Sequence, residues 1–169
     1  MKDLIRKVTS AIDSNGCSRF LEDTQVPVTS TDEKYPGFAV TELFYTEQNP
    51  QNLSVNHTSR PYDIALPPGA FRVCVCRIPP LGELLTYARN NNLAIPDNEK
   101  NYLMHKTLSV DYAYILSGEV ILRLDNEEEK LLKPGDFVVQ KGAVHTWNNF
   151  TIEPCDLLGI MIGADSFNP

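Results

Sequence analysis

Hydrophobic positions along the chain recur in short stretches rich in Val, Ile, Phe, Tyr and Thr, and Gly or Pro interrupts them every dozen residues or so. Short alternating stretches bounded by turn residues predict strands, and many of them in series predict an all-β sandwich or barrel. Arg6 to Thr9 and Ser18 to Leu21 flank Asn15-Gly16, a dipeptide that tolerates the positive φ of a tight turn, so a hairpin is expected there. The polar, proline-bearing stretch Val26 to Pro36 reads as an exposed loop, Gly37 to Thr46 as a strand, and Glu47 to Pro68 as a second loop. Phe71 to Ile78 reads as a strand stopped by Pro79-Pro80. Only Leu81 to Asn90 has helical spacing, with Leu81, Leu84, Leu85 and Ala88 on one side before Asn90-Asn91-Asn92 ends it.

From Leu108 the rhythm tightens into six predicted strands: Tyr112 to Leu116, Glu119 to Leu124, Glu129 to Leu132, Phe137 to Gln140, Val144 to Asn148 and Leu157 to Ile162. Tight turns at Ser117-Gly118, Asp125-Asn126, Pro134-Gly135-Asp136 and Lys141-Gly142 join the first five. Such a meander hides its edges only by closing on itself or by pairing with outer strands. A single domain over 1–169 is therefore expected, with the core barrel in 101–164 and outer strands, loops and one short helix in 1–100. The acidic run Glu127-Glu128-Glu129 between two strands reads as a solvated hairpin tip.

The 169 residues carry 15 basic and 22 acidic side chains, a net charge of -7, with no Lys/Arg stripe to track phosphates. Nucleic acid is not an expected partner. No run of about 18 apolar residues occurs, and the charged N-terminus lacks a signal-peptide core, so a cytoplasmic protein without a membrane partner is expected. Without a secretory signal, the sequons at Asn52, Asn56 and Asn149 carry no weight. Of the four cysteines (17, 74, 76 and 155), Cys74-x-Cys76 lies in a strand, puts both thiols on one face and is poor zinc spacing; reduced core thiols are expected.

The stretch before Tyr112 carries the candidate chemistry. His105, Thr107, Ser109, Asp111 and Ala113 share one strand parity, Lys106 and Tyr112 the other. An inward odd face would bury an imidazole and a carboxylate, which costs several kcal/mol unless they are paired or bound, so that face is expected to be a site.

Here the sequence resembles the cupin superfamily. That family's first motif is His-x-His, a Glu three or four residues on, and a Gly six residues later; this chain has His105-x-Thr107, Asp111 and Gly118. Its second motif opens on Gly-Asp and ends in a histidine followed by Asn; Gly135-Asp136 through His145 to Asn148-Asn149 is similar, one residue shorter and without the usual Pro. A narrower likeness runs to small stand-alone cupins through His105-Lys106-Thr107 with Asp111-Tyr112, and through Val138-Val139-Gln140 with His145 and Trp147. The resemblance implies a double-stranded β-helix, or jelly-roll barrel, preceded by extra N-terminal strands. It also implies a metal-ligand set of His105, Asp111 and His145, altered in that Thr107 replaces a histidine and Asp111 a longer Glu.

Two histidines and one carboxylate have the composition of a facial triad for Fe(II), Zn(II) or Mn(II), so a divalent ion is one expectation and none is the other. Without metal, the same residues make a histidine pair with a nearby carboxylate, suited to acid–base work. Candidate substrate contacts are Thr107, Gln140, Trp147 and, by position at the entrance, Tyr102. Three functions stay open. One is a lyase, isomerase or cyclase, metal-assisted or His/Asp-driven, acting on a small oxygenated molecule of polyketide-like or aromatic character. The others are an Fe(II)-dependent dioxygenase and a non-catalytic ligand-binding module. Unpaired outer strand edges predict a homodimer.

Overall fold

The computed structural model describes residues 4–31, 35–48, 56–58 and 60–165. The chain opens with β1 (Leu4–Ile12) and β2 (Ser18–Pro27), paired antiparallel around a turn in which Gly16 takes φ +78° and Asp13 Oδ1 accepts from the amides of Asn15 and Cys17. β2 runs well past Leu21 into the segment read as loop, and β3 (Ser30–Thr31) follows it. Opposite charges explain the extension: Arg6 pairs with Asp23 and Lys7 with Glu22 across the ribbon, so a polar strand is held without an apolar pattern.

Next come β4 (Ala39–Thr46), β5 (Phe71–Ile78), α1 (Leu81–Asn90) and a short 3₁₀ turn at Glu99–Asn101. The remaining strands are β6 (Ser109–Ser117), β7 (Val120–Leu124), β8 (Glu129–Leu132), β9 (Phe137–Lys141), β10 (His145–Asn148) and β11 (Cys155–Gly163). β5, α1 and β8 have the bounds their sequence predicts, since prolines and turn residues punctuate them on both sides.

The strands build a six-stranded sheet ordered β3-β4-β5-β11-β6-β9 and a three-stranded sheet ordered β10-β7-β8, apart from the β1-β2 ribbon. This is the double-stranded β-helix, not a meander. Of the sequential neighbours predicted from Leu108 on, only β7 and β8 pair, while β6 pairs with β9 and β11, and β10 with β7. β5 bonds along its whole length to β11, so the first hundred residues supply strands to the larger sheet. Ile78, Ala113, Ile115, Val120, Leu132, Cys155 and Leu157 from both sheets form the core between them.

α1 lies over one end, burying Leu81, Leu84, Leu85 and Ala88 against Tyr102, each leucine contributing about 2 kcal/mol. At the β6–β7 turn Gly118 takes φ +73°, and a Cβ there would lie 2.6 Å from the Pro154 carbonyl oxygen. The acidic hairpin tip is only partly solvated, because the nearly buried Arg123 side chain gathers Glu127 and Glu129, and Lys100 also reaches Glu129.

Candidate active site

Between the sheets lies a cavity of about 910 Å³. His105, Thr107, Asp111, Gln140, His145 and Trp147 all line it. Alternation along β6 carries Asp111 and Ala113 inward as its parity predicts, and the register sets Asp111 directly opposite Gln140 on β9.

His105 and His145 are joined through the backbone, each amide donating to the other's carbonyl at 2.9 Å. Their ring centroids are 4.3 Å apart at 52°. Trp147 stands edge-on to His145, with centroids 5.9 Å apart. The Nδ1 of His145 is 2.9 Å from the Ala143 carbonyl oxygen, and the Nδ1 of His105 is 2.8 Å from that of Leu103. A carbonyl only accepts, so each Nδ1 carries the hydrogen and each neutral ring keeps its lone pair on Nε2.

Electrostatics divide these groups. Burial, then the neighbouring His105, drops His145 to a pKa of about 4, so it is neutral at physiological pH. Asp111 moves the other way, raised chiefly by burial; hydrogen bonds from Ser109 and Thr107, and the attraction of His105, offset part of the rise. Thr107 is more than a filler: its hydroxyl accepts from Ser109 at 3.0 Å and donates to Asp111 Oδ2 at 3.4 Å.

Among the described residues, no three His, Cys, Asp or Glu side chains gather closely enough to hold a metal ion. His105, Asp111 and His145 share the cavity wall, yet as placed they do not fit a three-donor metal centre, and Thr107 brings no imidazole to complete one. What they can do as placed is bind polar groups and move protons.

Tyr102 does not face this cavity. Its ring is held in the α1 cluster, edge-on to Tyr35, because the leucine face of the helix needs an apolar partner there; only its carbonyl serves the site region, accepting from Thr146 Oγ1. Beside Asp111, the neighbouring strands β11 and β5 of the same sheet continue the wall with Cys74, Cys76, Leu157, Gly159 and Met161. The two thiols are free, with sulfurs 3.7 Å apart, and the parity that puts them on one face was visible in the sequence; that this face borders a void was not.

No protein-family model matches the chain. It is 51% identical over 47 residues to phomopsin biosynthesis cluster protein C' of Diaporthe leptostromiformis, a match covering 28% of this chain and 25% of that protein. It is 40% identical over 48 residues to the cupin-domain-containing oxidoreductase virC of Hypocrea virens, covering 28% and 25%. The matched segment thus spans about a quarter of the length of these curated relatives. Among solved structures, a candidate ethanolamine utilization protein Q from Salmonella typhimurium superimposes with a TM-score of 0.50 at 15% identity, over 96% of this chain and 98% of that one. The two-sheet barrel is a double-stranded β-helix, and the spacing of His105, Asp111, Gly118 and His145 along it, with the segment similar to the cupin-domain protein of Hypocrea virens, resembles the cupin superfamily.

Proposed function

We propose that the chain is a small-molecule enzyme of the cupin type that works by proton transfer at His145 and His105, with Asp111 beside them. The observation that carries this reading is the pair of imidazoles at the cavity wall, each locked through Nδ1 so that Nε2 is its one available nitrogen. The likeness to proteins of biosynthetic clusters supports a metabolite as substrate.

In this reading His145 meets the substrate as a neutral acceptor, takes a proton from an acidic C–H or O–H at Nε2, and hands it on readily because its own affinity for the proton is low. At a centroid distance of 4.3 Å the two rings cannot both carry charge cheaply, so a proton on one discourages a second on the other. The apolar wall of Leu157, Gly159 and Met161 limits the water that competes with the substrate. Isomerisation, elimination and cyclisation can begin with such a transfer, and decarboxylation ends with one, when the carbon that loses CO2 takes up a proton.

The test is solvent exchange. A panel of 1,3-dicarbonyl and β-hydroxycarbonyl compounds in D2O should gain deuterium at the acidic carbon faster with protein present, and His145→Ala should bring the rate back to that of buffer. Exchange indifferent to His145, or none for any compound, would defeat the proposal.

A second reading is an oxidoreductase, favoured by the name of the Hypocrea virens relative. Oxygen uptake dependent on added Fe(II), with any of the same compounds, would select it.

A further inference from the structure

Three polar atoms in the cavity wall have no hydrogen-bond partner: Asp111 Oδ1, Gln140 Oε1 and Gln140 Nε2. They belong to residues directly opposite one another on β6 and β9, both lining the cavity, and Gln140 is only 6% exposed. Leaving such groups unanswered in a folded interior costs free energy each, so a wall that keeps three of them together is built for a ligand's polar end.

We infer that the substrate carries a terminal primary carboxamide, read by Gln140 and Asp111. This rests on the cavity being the substrate site of the proposed enzyme. The match follows from counting donors and acceptors. Oε1 and Oδ1 each need a donor, and Nε2 needs an acceptor. A primary carboxamide offers two N–H bonds and one carbonyl oxygen: the N–H on the carbonyl side pairs with Oε1, the carbonyl accepts from Nε2, and the remaining N–H points to Oδ1. Turning the Gln140 amide end over exchanges its two atoms and keeps both bonds to the ligand, since the ligand edge turns with it; the bond to Oδ1 belongs to the orientation with Oε1 nearer Asp111.

Other common polar ends fail the same count. A carboxylate sets only acceptors against the oxygens of Gln140 and Asp111. An ammonium or guanidinium group leaves Nε2 without an acceptor, and a ketone leaves both oxygens without donors. A trans peptide bond points its N–H and C=O to opposite sides, so it reaches one end of Gln140 and not the other. The rest of the ligand meets Cys76, Leu157, Met161 and Trp147, which favour an apolar or aromatic body.

Benzamide, acetophenone and benzoate share one body and differ in the polar end, so they serve as probes. Titrated into the full chain and followed by protein-observed NMR, benzamide should bind about tenfold more tightly than either of the others, the size expected when buried polar atoms gain or lack partners. The Gln140 side-chain N–H resonances should shift with it. In Gln140→Leu the preference should vanish. Equal binding of benzamide and acetophenone, no benzamide binding up to its solubility limit, or a preference that survives in Gln140→Leu overturns the inference. Should Gln140→Leu not fold, unmoved Gln140 side-chain resonances in the native chain overturn it equally. These are equilibrium measurements, so they fail separately from the exchange experiment: loss of the carboxamide preference with exchange intact refutes this inference alone, and the reverse outcome refutes the catalytic reading alone.

Discussion

His105 and His145 are held side by side by a reciprocal pair of backbone hydrogen bonds, although they stand forty positions apart in the chain. The bridge ties the segment before β6 to the first residue of β10, so the spacing of the two imidazoles depends on main-chain atoms that side-chain substitution leaves in place. His145→Ala should therefore remove the chemistry and keep the barrel, which far-UV and near-UV circular dichroism of the variant will check.

Acid should weaken the fold through His145. Its pKa is about 4 in the folded chain against an ordinary 6.5, so below pH 6.5 the unfolded chain takes up a proton that the folded one refuses. The stabilisation is complete above pH 6.5 and is lost as pH falls toward 4, about 3 kcal/mol in all. Asp111 has the opposite sign: raised in the folded chain, it takes up its proton sooner there, and acidification toward 3.8 returns some stability. Urea unfolding at pH 7, 5.5 and 4.5 should show the native chain losing stability and His145→Gln losing less.

Thr107→Val should cost about 1–3 kcal/mol in urea unfolding, because Asp111 Oδ2 loses its donor and Ser109 its acceptor inside the barrel. A cost near zero would mean that Thr107 only occupies volume. Thr107→His adds a third imidazole to the wall, and calorimetric titration with Zn(II) or Mn(II) should detect tighter binding than in the native chain.

Gly118→Ala should destabilise by about 2 kcal/mol or more, since the residue sits at positive φ and the new methyl would press on the backbone of Pro154 and Cys155. Thermal unfolding of the variant measures it; the same substitution at Gly135, where nothing lies within 4 Å, should cost less.

The β1–β2 ribbon leaves Ile12 61% and Phe20 76% exposed, with Leu4, Val8 and Leu21 also uncovered. A two-stranded ribbon is marginal alone, so a second copy of the chain covering these side chains is expected. Light scattering at micromolar concentrations should give the mass of a dimer, and Phe20→Glu should shift it toward the monomer.

Much of this was legible in the sequence, and particular residues mark where legibility stopped. β5 ends at Pro79-Pro80 and α1 shows its leucine face, so local punctuation was enough for both. The odd parity of His105, Thr107 and Asp111 pointed to the cavity wall that the fold gives them. Which strand pairs with which was not legible, because β11 joins β5 across some eighty residues and alternation says nothing about partners. Cys74 and Cys76 show the same limit: periodicity gives a face, and only the assembled sheets decide whether it meets side chains or space. Tyr102, placed by proximity in sequence, went to the helix because burial against Leu81 and Leu85 outweighed its distance of three residues from His105.

The position of β11 has a consequence for biosynthesis of the chain itself. It is the last strand of the described structure and lies between β5 and β6, bonded to both. While it is still inside the ribosome, the emerging polypeptide holds two strands that face a missing neighbour, with unpaired N–H and C=O groups along both edges. Closure of the barrel thus waits for Gly163 to emerge, and until then a chaperone, or a β11 borrowed from another nascent copy, meets the most adhesive surface the molecule ever presents.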